Sequence, residues 1–486
     1  MRFQRLIGLV VLGMTGLAAL FLWIGVSATS TPHSRVDHGV LFGVWRVFYD
    51  TAAPPWPQVL IAVSVALLLA LSVAVLERRI ATRYRRSENV HATPLSPKIV
   101  MAATRGVFHG EVTVTVLVPA HNEEASLGAT LASLWEQSLR PTRIVVVADN
   151  CTDRTVDIAR AHGAEVFESV DNAHKKGGAL NQALRWLLPG QGENDVVMVM
   201  DADTILDQGF LSTAVRRFTN DRALMAVGGL FYGEPGHGII GQFQRNEYVR
   251  YGREIRRRRG RVFVLTGTAS LFRPRALRTV AASRGSIIPG TAGDVYDTAA
   301  LTEDNELTIA LKSLGALMIS PPECTVVTEL MPSWRTLWNQ RLRWQRGALE
   351  NVGAYGITPQ TMRYWAQQLA IGYGVFALTS YFILLGLMIL CNDSWVWFPF
   401  WLGLGLIFMV ERVVTVWRGG WRARLLALTL FPELFFDFFL DVVFVKGVID
   451  ISLGRQAAWK HIEHKTEQPE QPERSEQAAR TEGSRR

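Results

Sequence analysis

Asp195-Val196-Val197-Met198-Val199-Met200-Asp201-Ala202-Asp203 is the stretch whose reading decides the fold. Its apolar run is too short for a typical helix, and both ends are acidic. This is the pattern of a strand buried on both faces of a sheet. Open α/β sheets bind their ligands beyond the carboxyl ends of such strands. Asp201 and Asp203 emerge at that end.

The same alternation extends outward from this strand. Val112–Val118 is β-branched and ends at Pro119, and Ile144–Ala148 is a second apolar strand running into Asp149. A helix is predicted over Ser126–Gln137, with Leu127, Leu131 and Leu134 on one face. Further helices are predicted over Thr155–His162 and Gly178–Leu187, with a strand at Ala164–Phe167 between them. This β-α-β-α order predicts a mostly parallel sheet covered on both faces.

The chain has 486 residues, of which 49% are hydrophobic and 19% charged, a balance that leans toward membrane. The net charge of +8 reads as juxtamembrane, because Arg78, Arg79, Arg83, Arg85 and Arg86 directly follow an apolar run; no nucleic-acid partner is expected. Cys151, Cys324 and Cys391 form no disulfide or zinc pattern.

Residues 1–86 read as two transmembrane helices, Leu6–Val26 and Val59–Leu76, joined by a linker with a non-helical Pro54-Pro55-Trp56-Pro57. Residues 87–333 read as a cytoplasmic α/β domain, and 334–360 as an amphipathic interfacial segment rich in Arg and Trp. Residues 361–454 hold a C-terminal transmembrane region, with spans near 371–391 and 396–416 and an ambiguous stretch at 425–449. In that stretch Glu433, Asp437 and Asp441 share a helix face suited to a bundle interior. Residues 455–486 form a polar tail expected to be disordered.

Four features carry chemistry. Asp201 and Asp203 offer hard oxygen ligands to Mg2+ or Mn2+ bridging two phosphates, although surface Asp-x-Asp also arises by chance. Lys175-Lys176-Gly177-Gly178 leads into a helix whose free N–H groups suit phosphate; a solvated turn is the plain alternative. Thr302 reads as an N-cap with Glu303 and Asp304 in the first turn. Acids there complement the helix dipole, and the dipole would keep Asp304 ionised as a proton acceptor. Gln340, Arg343 and Trp344 fall on one helix face, where they can donate to a diphosphate and stack on a ring.

Together these pieces resemble the membrane-integrated processive family-2 glycosyltransferases, the group of cellulose, hyaluronan and poly-N-acetylglucosamine synthases. The matching segments are Val118-Pro119-Ala120-His121-Asn122-Glu123-Glu124, Ala148-Asp149-Asn150 and Lys176-Gly177-Gly178-Ala179-Leu180-Asn181. They continue with Asp201-Ala202-Asp203, Gly267-Thr268-Ala269, Thr302-Glu303-Asp304 and the Gln340-x-x-Arg343-Trp344 pattern. The resemblance implies a GT-A-type, Rossmann-like catalytic domain flanked by transmembrane helices. It implies that His121, Glu123, Asp149, Lys176, Asp201 and Asp203 bind a UDP-sugar, with the metal on Asp203 and Asp201. Asp304 would be the general base. Glu303, Gln340, Arg343 and Trp344 would hold the diphosphate and the acceptor.

The implied activity is inverting, metal-dependent elongation of a β-linked polysaccharide from UDP-N-acetylglucosamine, with passage across the membrane. Single-sugar transfer to a lipid acceptor is the alternative in the same class, and a non-catalytic membrane scaffold or export subunit the alternative in another. The implied partners are the UDP-sugar, a glycan or lipid-linked acceptor and membrane lipids, with room for a homo-oligomer. Relatives keep a C-terminal Trp-containing loop, for which Trp459-Lys460-His461 is the candidate.

Overall fold

The computed structural model describes residues 36–41, 45–49, 56–105, 110–391, 394–397 and 399–455. The expected span Leu6–Val26, the Trp459-Lys460-His461 segment and the polar tail from Glu463 lie outside the described residues. Along the chain the strands are β1 Val36–Leu41, β2 Trp45–Tyr49, β3 Thr113–Ala120, β4 Arg143–Ala148, β5 Glu165–Glu168, β6 Asp195–Met200 and β7 Thr204–Leu206. They continue with β8 Leu224–Gly228, β9 Leu230–Gly233, β10 Ala269–Phe272, β11 Leu317–Ile319, β12 Thr325–Thr328 and β13 Ser394–Trp397.

A seven-stranded sheet in the order β11-β8-β10-β6-β3-β4-β5 forms the centre. Strands β6, β3, β4 and β5 are parallel. Strand β10 runs antiparallel to both β6 and β8, so the sheet is mixed rather than uniformly parallel at that end. Because β10 is reversed, its beginning lies beside the carboxyl end of β6, and Ala269 pairs with Met200. Strand β3 runs through Pro119 to Ala120, past the expected stop. Its pairing with β6 ends at Leu117, and from there only β4 continues alongside. Pro119, which has no N–H to donate, therefore sits where one ladder has already stopped.

Alternate residues of each central strand serve opposite cores, as the two-residue period of a strand requires. Leu117, Val145, Val147, Val197 and Val199 pack against Leu180 and Leu184 of helix Lys175–Leu187 and Leu307 and Leu311 of helix Glu303–Ser313. Val116, Val118, Ile144, Val146, Met198 and Met200 pack against Leu127, Leu131 and Leu134 of helix Leu127–Trp135 and Phe210 and Phe218 of helix Phe210–Asn220. A second sheet, β7-β12-β9, lies beyond Asp203.

Helix Trp56–Arg85 begins at Trp56, so this residue opens a helix instead of ending a non-helical linker. The stretch 425–449 is divided between helices Gly420–Thr429 and Phe431–Ser452, with Leu430 at φ +55° between them. Pro432 falls in the first turn of the second helix, where its missing N–H costs nothing. Glu433 is 2% exposed and contacts Arg250 of helix Gly238–Arg257 at 2.5 Å, while Asp437 holds Arg412 of helix Pro399–Thr415 at 2.5 Å. The acidic row thus joins the α/β domain to the apolar helices.

Helix Trp334–Tyr355, expected to lie on headgroups, turns much of its surface to protein. Leu337, Arg341, Arg346, Gly347, Leu349 and Val352 are buried. Leu349 and Val352 meet Ile309, Phe444 and Val448 in one cluster. Gly347 is needed there, since a Cβ would come within 2.5 Å of Thr302 Oγ1. Ala is favoured over Gly in a helix by up to about 1 kcal/mol. Overpacking a tight contact costs about 1–3 kcal/mol, and Thr302 is itself buried and held by Asn351. Gly347→Ala is therefore expected to lower the melting temperature of the full chain; an unchanged or raised value would contradict this packing.

Candidate active site

Loops from the carboxyl ends of β3, β4 and β6 open on one edge, where the strand order changes direction. The β3 and β4 loops are stitched together. His121 Nδ1 lies 2.5 Å from the Asp149 carbonyl oxygen, and the Thr155 hydroxyl accepts from the Glu123 N–H at 2.8 Å. Asp149 is 6% exposed and accepts from Ser169 Oγ at 2.7 Å and Asn172 Nδ2 at 2.8 Å. Asn122 and Asn150 make the left-handed turns, at φ 57° and 50°.

Lys176 stands at the centre. Its Nζ is 2.5 Å from Asp201 Oδ1 and 3.1 Å from Glu303 Oε1. Lys175 and Lys176 form the first turn of a helix that starts earlier than the sequence pattern predicts, and Gly177 and Gly178 are buried inside it. Gly178 serves close packing rather than an open phosphate cradle, since a Cβ would come within 2.1 Å of Asn172 Oδ1. The glycine thereby seats the loop whose Asn172 holds Asp149.

Asp304 opens helix Glu303–Ser313. Thr302 forms no side-chain cap; its Oγ1 accepts from Asn351 Nδ2 at 3.1 Å. The helix is clamped from behind by Arg284 on Glu306, a pair at 2.5 Å with side chains 0% and 2% exposed. Asp304 Oδ1 accepts from the Asn305 N–H at 2.7 Å and Oδ2 from the Gly267 N–H at 3.2 Å. Gly267 reaches the site because β10 is reversed.

The acids divide electrostatically. Desolvation and then Glu303 push the Asp304 carboxyl up to about 6, against the pull of Lys176 and two N–H donors. The expected effect of the helix dipole, a firmly ionised Asp304, is outweighed. Glu303 is desolvated too, but Lys176 holds it below the ordinary range. Burial would discharge Lys176, yet Asp201 and Glu303 hold its pKa well above the usual lysine value.

A cavity of about 690 Å³ gathers these groups. Its walls include His121, Glu123, Asp149, Lys176, Asp201, Asp203, Glu303, Asp304, Gln340, Arg343 and Trp344. They also include residues that sequence reasoning passed over: Glu247 and Tyr251 of helix Gly238–Arg257, Glu329 after β12, and Tyr364 and Gln368 of helix Met362–Cys391. Gln368 is 2% exposed and its Oε1 has no partner. None of these lies in a motif; only the polar Tyr364 and Gln368, at the start of an otherwise apolar helix, carry a signal that could have marked them.

Asp203 fits a divalent cation. Desolvation, then Asp201, Glu123 and Glu329, raise its carboxyl to about 7. A carboxylate so crowded by others is a hard-oxygen environment short of positive charge. Among the described residues no three His, Cys, Asp or Glu side chains converge as a closed metal nest. A cation on Asp203 would complete its shell with oxygens of a ligand, as open sites for phosphate chemistry do.

Residues 115–281 match glycosyl transferase family 2. Over these residues the chain therefore matches a family-2 glycosyltransferase domain, set in a mixed α/β fold. A probable glycosyltransferase, YdaM, of Bacillus subtilis strain 168 is 30% identical over 244 residues, covering 48% of this chain and 54% of the relative. A poly-beta-1,6-N-acetyl-D-glucosamine synthase of Staphylococcus aureus strain COL is 26% identical over 243 residues, covering 49% of this chain and 55% of the relative. The chain thus spans about half the length of the curated relatives it matches. Among solved structures, the mannosyltransferase PcManGT of Pyrobaculum calidifontis, in complex with GDP-Man and Mn2+, is similar at 17% identity. Its TM-score is 0.47, covering 81% of this chain and 99% of that one.

The Asp203 shift sets a pH signature. The folded protein holds this proton up to about pH 7, whereas an unfolded chain releases it near the ordinary carboxylate value. Between those values the folded state binds more protons, so the contribution of Asp203 to stability falls as pH rises. A cation replaces the proton. Millimolar manganese is therefore expected to raise the melting temperature more at about pH 8 than at about pH 5.5, and Asp203→Asn should abolish the gain. An equal gain in the variant would contradict cation binding at Asp203.

Proposed function

We propose that the chain is an inverting, metal-assisted glycosyltransferase that elongates a β-linked polysaccharide from UDP-N-acetylglucosamine on the cytoplasmic face of a membrane. The observation that carries this reading is Asp304: a carboxyl held by two N–H groups at the wall of the cavity that Asp201 and Asp203 also line, its pKa raised to about 6. A base near this value is ionised at neutral pH and still takes up a proton effectively.

The steps follow from the chain's own residues. The β3 and β4 loops, with His121, Glu123 and Asp149, bind the uridine. Gln340 and Arg343 hold the diphosphate, and Trp344 forms the platform for the acceptor sugar. Asp304 removes the proton of the acceptor hydroxyl as that oxygen bonds to the anomeric carbon. The bond from the anomeric carbon to the diphosphate oxygen breaks on the opposite face, and UDP leaves with the electron pair. Asp203, with Asp201 beside it, would hold a divalent cation, which would supply positive charge where the diphosphate departs. Lys176 holds Asp201 and Glu303 together at the cavity wall.

The choice of sugar and of a polymer product is supported by the Staphylococcus aureus relative. Membrane placement is supported by Met362–Leu390, a helix of 29 residues with mean hydropathy 2.0 and none of its apolar window buried. On helix Trp56–Arg85 the side chains of Leu60, Ile61, Leu67, Leu68 and Leu71 are all at least 60% exposed, a surface that suits lipid. Arg78, Arg79 and Arg83 lie in its C-terminal turns, on the side of the α/β domain, as the positive-inside bias requires of a cytoplasmic domain. Tyr364, Gln368 and Ile371 bring the first turns of helix Met362–Cys391 into the cavity wall, which supports passage of a growing chain from the site toward that helix.

Asp304→Asn keeps the shape and removes the base. It is expected to lower turnover at least about 10²-fold while UDP binding stays near wild type. In the wild type, kcat/KM should fall as pH drops below about 6, where Asp304 takes up its proton. Near-normal turnover in the variant would contradict the assignment.

A further inference from the structure

Arg341 lies inside the Gln340–Trp344 segment but belongs to no role assigned above. Its side chain is 2% exposed, one of the largest fully enclosed groups in the protein. The guanidinium carbon lies 4.2 Å from the centre of the Trp344 ring, one helical turn away. Nη2 donates to Glu247 Oε2 at 2.8 Å, across to helix Gly238–Arg257. Nη1 donates to Gln340 Oε1 at 3.0 Å, and Nε has no partner.

An enclosed guanidinium with an unpaired N–H is an expensive way to fill space. Replacing buried ion pairs by apolar residues of similar volume is often neutral or stabilising. Its geometry is more informative than its contribution to stability. A planar fork can face an aromatic ring and fix two oxygens at once, which an ammonium or an apolar side chain cannot. Here the fork covers one face of Trp344, so the ring's other face is the one left for a ligand in the cavity it lines. The same fork engages the oxygen of the Gln340 amide, which leaves the amide NH2 for that cavity. Glu247 anchors the fork from a second helix and also lines the cavity.

We propose that Arg341 is a positioning residue for the acceptor site: held by Glu247, it sets the plane of Trp344 and the orientation of the Gln340 amide. This rests on the reading of Trp344 as the acceptor platform. The consequence is selective. Loss of Arg341 releases the ring and the amide while the donor loops and Asp304 stay in place.

The test uses the full chain in nanodiscs, labelled with 5-fluorotryptophan, the Trp344 signal being identified by its loss in Trp344→Phe. Arg341→Met is expected to shift and broaden that 19F signal. With UDP-N-acetylglucosamine as donor and an N-acetylglucosamine oligosaccharide as acceptor, it should raise the acceptor KM about tenfold. Arg343 still faces the diphosphate, so the donor KM should rise by clearly less than the acceptor KM, and the slow release of UDP to water should persist. Arg341→Lys, which keeps the charge but not the fork, should recover part of the loss. If Arg341→Met does not fold, Glu247→Gln, at a half-exposed position, should move the signal and the acceptor KM the same way by less. An unmoved 19F signal with a wild-type acceptor KM in a folded Arg341→Met would overturn the proposal. If Trp344→Ala meanwhile loses the acceptor, the platform reading survives and only the role of Arg341 falls. A wild-type acceptor KM in Trp344→Ala would overturn both.

Discussion

The ammonium of Lys176, 2.5 Å from Asp201 and 3.1 Å from Glu303, lets several carboxylates share one cavity. Like charges brought this close destabilise one another's ionised forms. Lys176 contacts Asp201 and Glu303 directly and leaves Asp203 and Asp304 the more crowded. Glu303 is therefore held low while Asp304 and Asp203 rise to about 6 and about 7. Neighbouring acids driven apart in this way take different roles, one as a fixed charge and the others as proton or cation acceptors. The lysine also ties three chain segments: the first turn of helix Lys175–Leu187, the loop after β6, and the start of helix Glu303–Ser313.

The remaining wall of the site comes from helix Trp334–Tyr355, and its approach is set by small contacts. Gly347 admits Thr302, and Asn351 bonds Thr302 and Asn305 at the first turn of the Asp304 helix. The opposite side of this helix packs on Phe431–Ser452. Glu433 and Asp437 then join that helix to Arg250 of the catalytic domain and Arg412 of the apolar region. The α/β domain and the apolar helices thus meet through partly buried ion pairs.

Much of the α/β core was legible in the sequence because its signals are local. Val196–Met200 is apolar throughout since β6 has partners on both sides and helices on both faces, and the strands at Ile144–Ala148 and Val112–Val118 read the same way. The reversal of β10 was not legible: Ala269–Phe272 is a short apolar run, and direction depends on pairing across the chain. Arg and Trp on an amphipathic helix predict an interfacial position for Trp334–Tyr355; Arg341 is instead enclosed by the contact with Glu247, a partner 94 residues away. The raised pKa of Asp304 was missed for a similar reason. Its helix dipole is visible locally, but the desolvation and the Glu303 charge that outweigh it arise only once the cavity closes.

The central claim is that the cavity around Asp304 transfers a sugar from a nucleoside diphosphate. The most direct measurement is UDP release by the full chain in nanodiscs with a panel of UDP-sugars and manganese, together with sizing of the product. Steady UDP release with UDP-N-acetylglucosamine and a product that lengthens with time are expected. No UDP release from any nucleotide sugar, by a folded protein that still binds UDP, would contradict the claim.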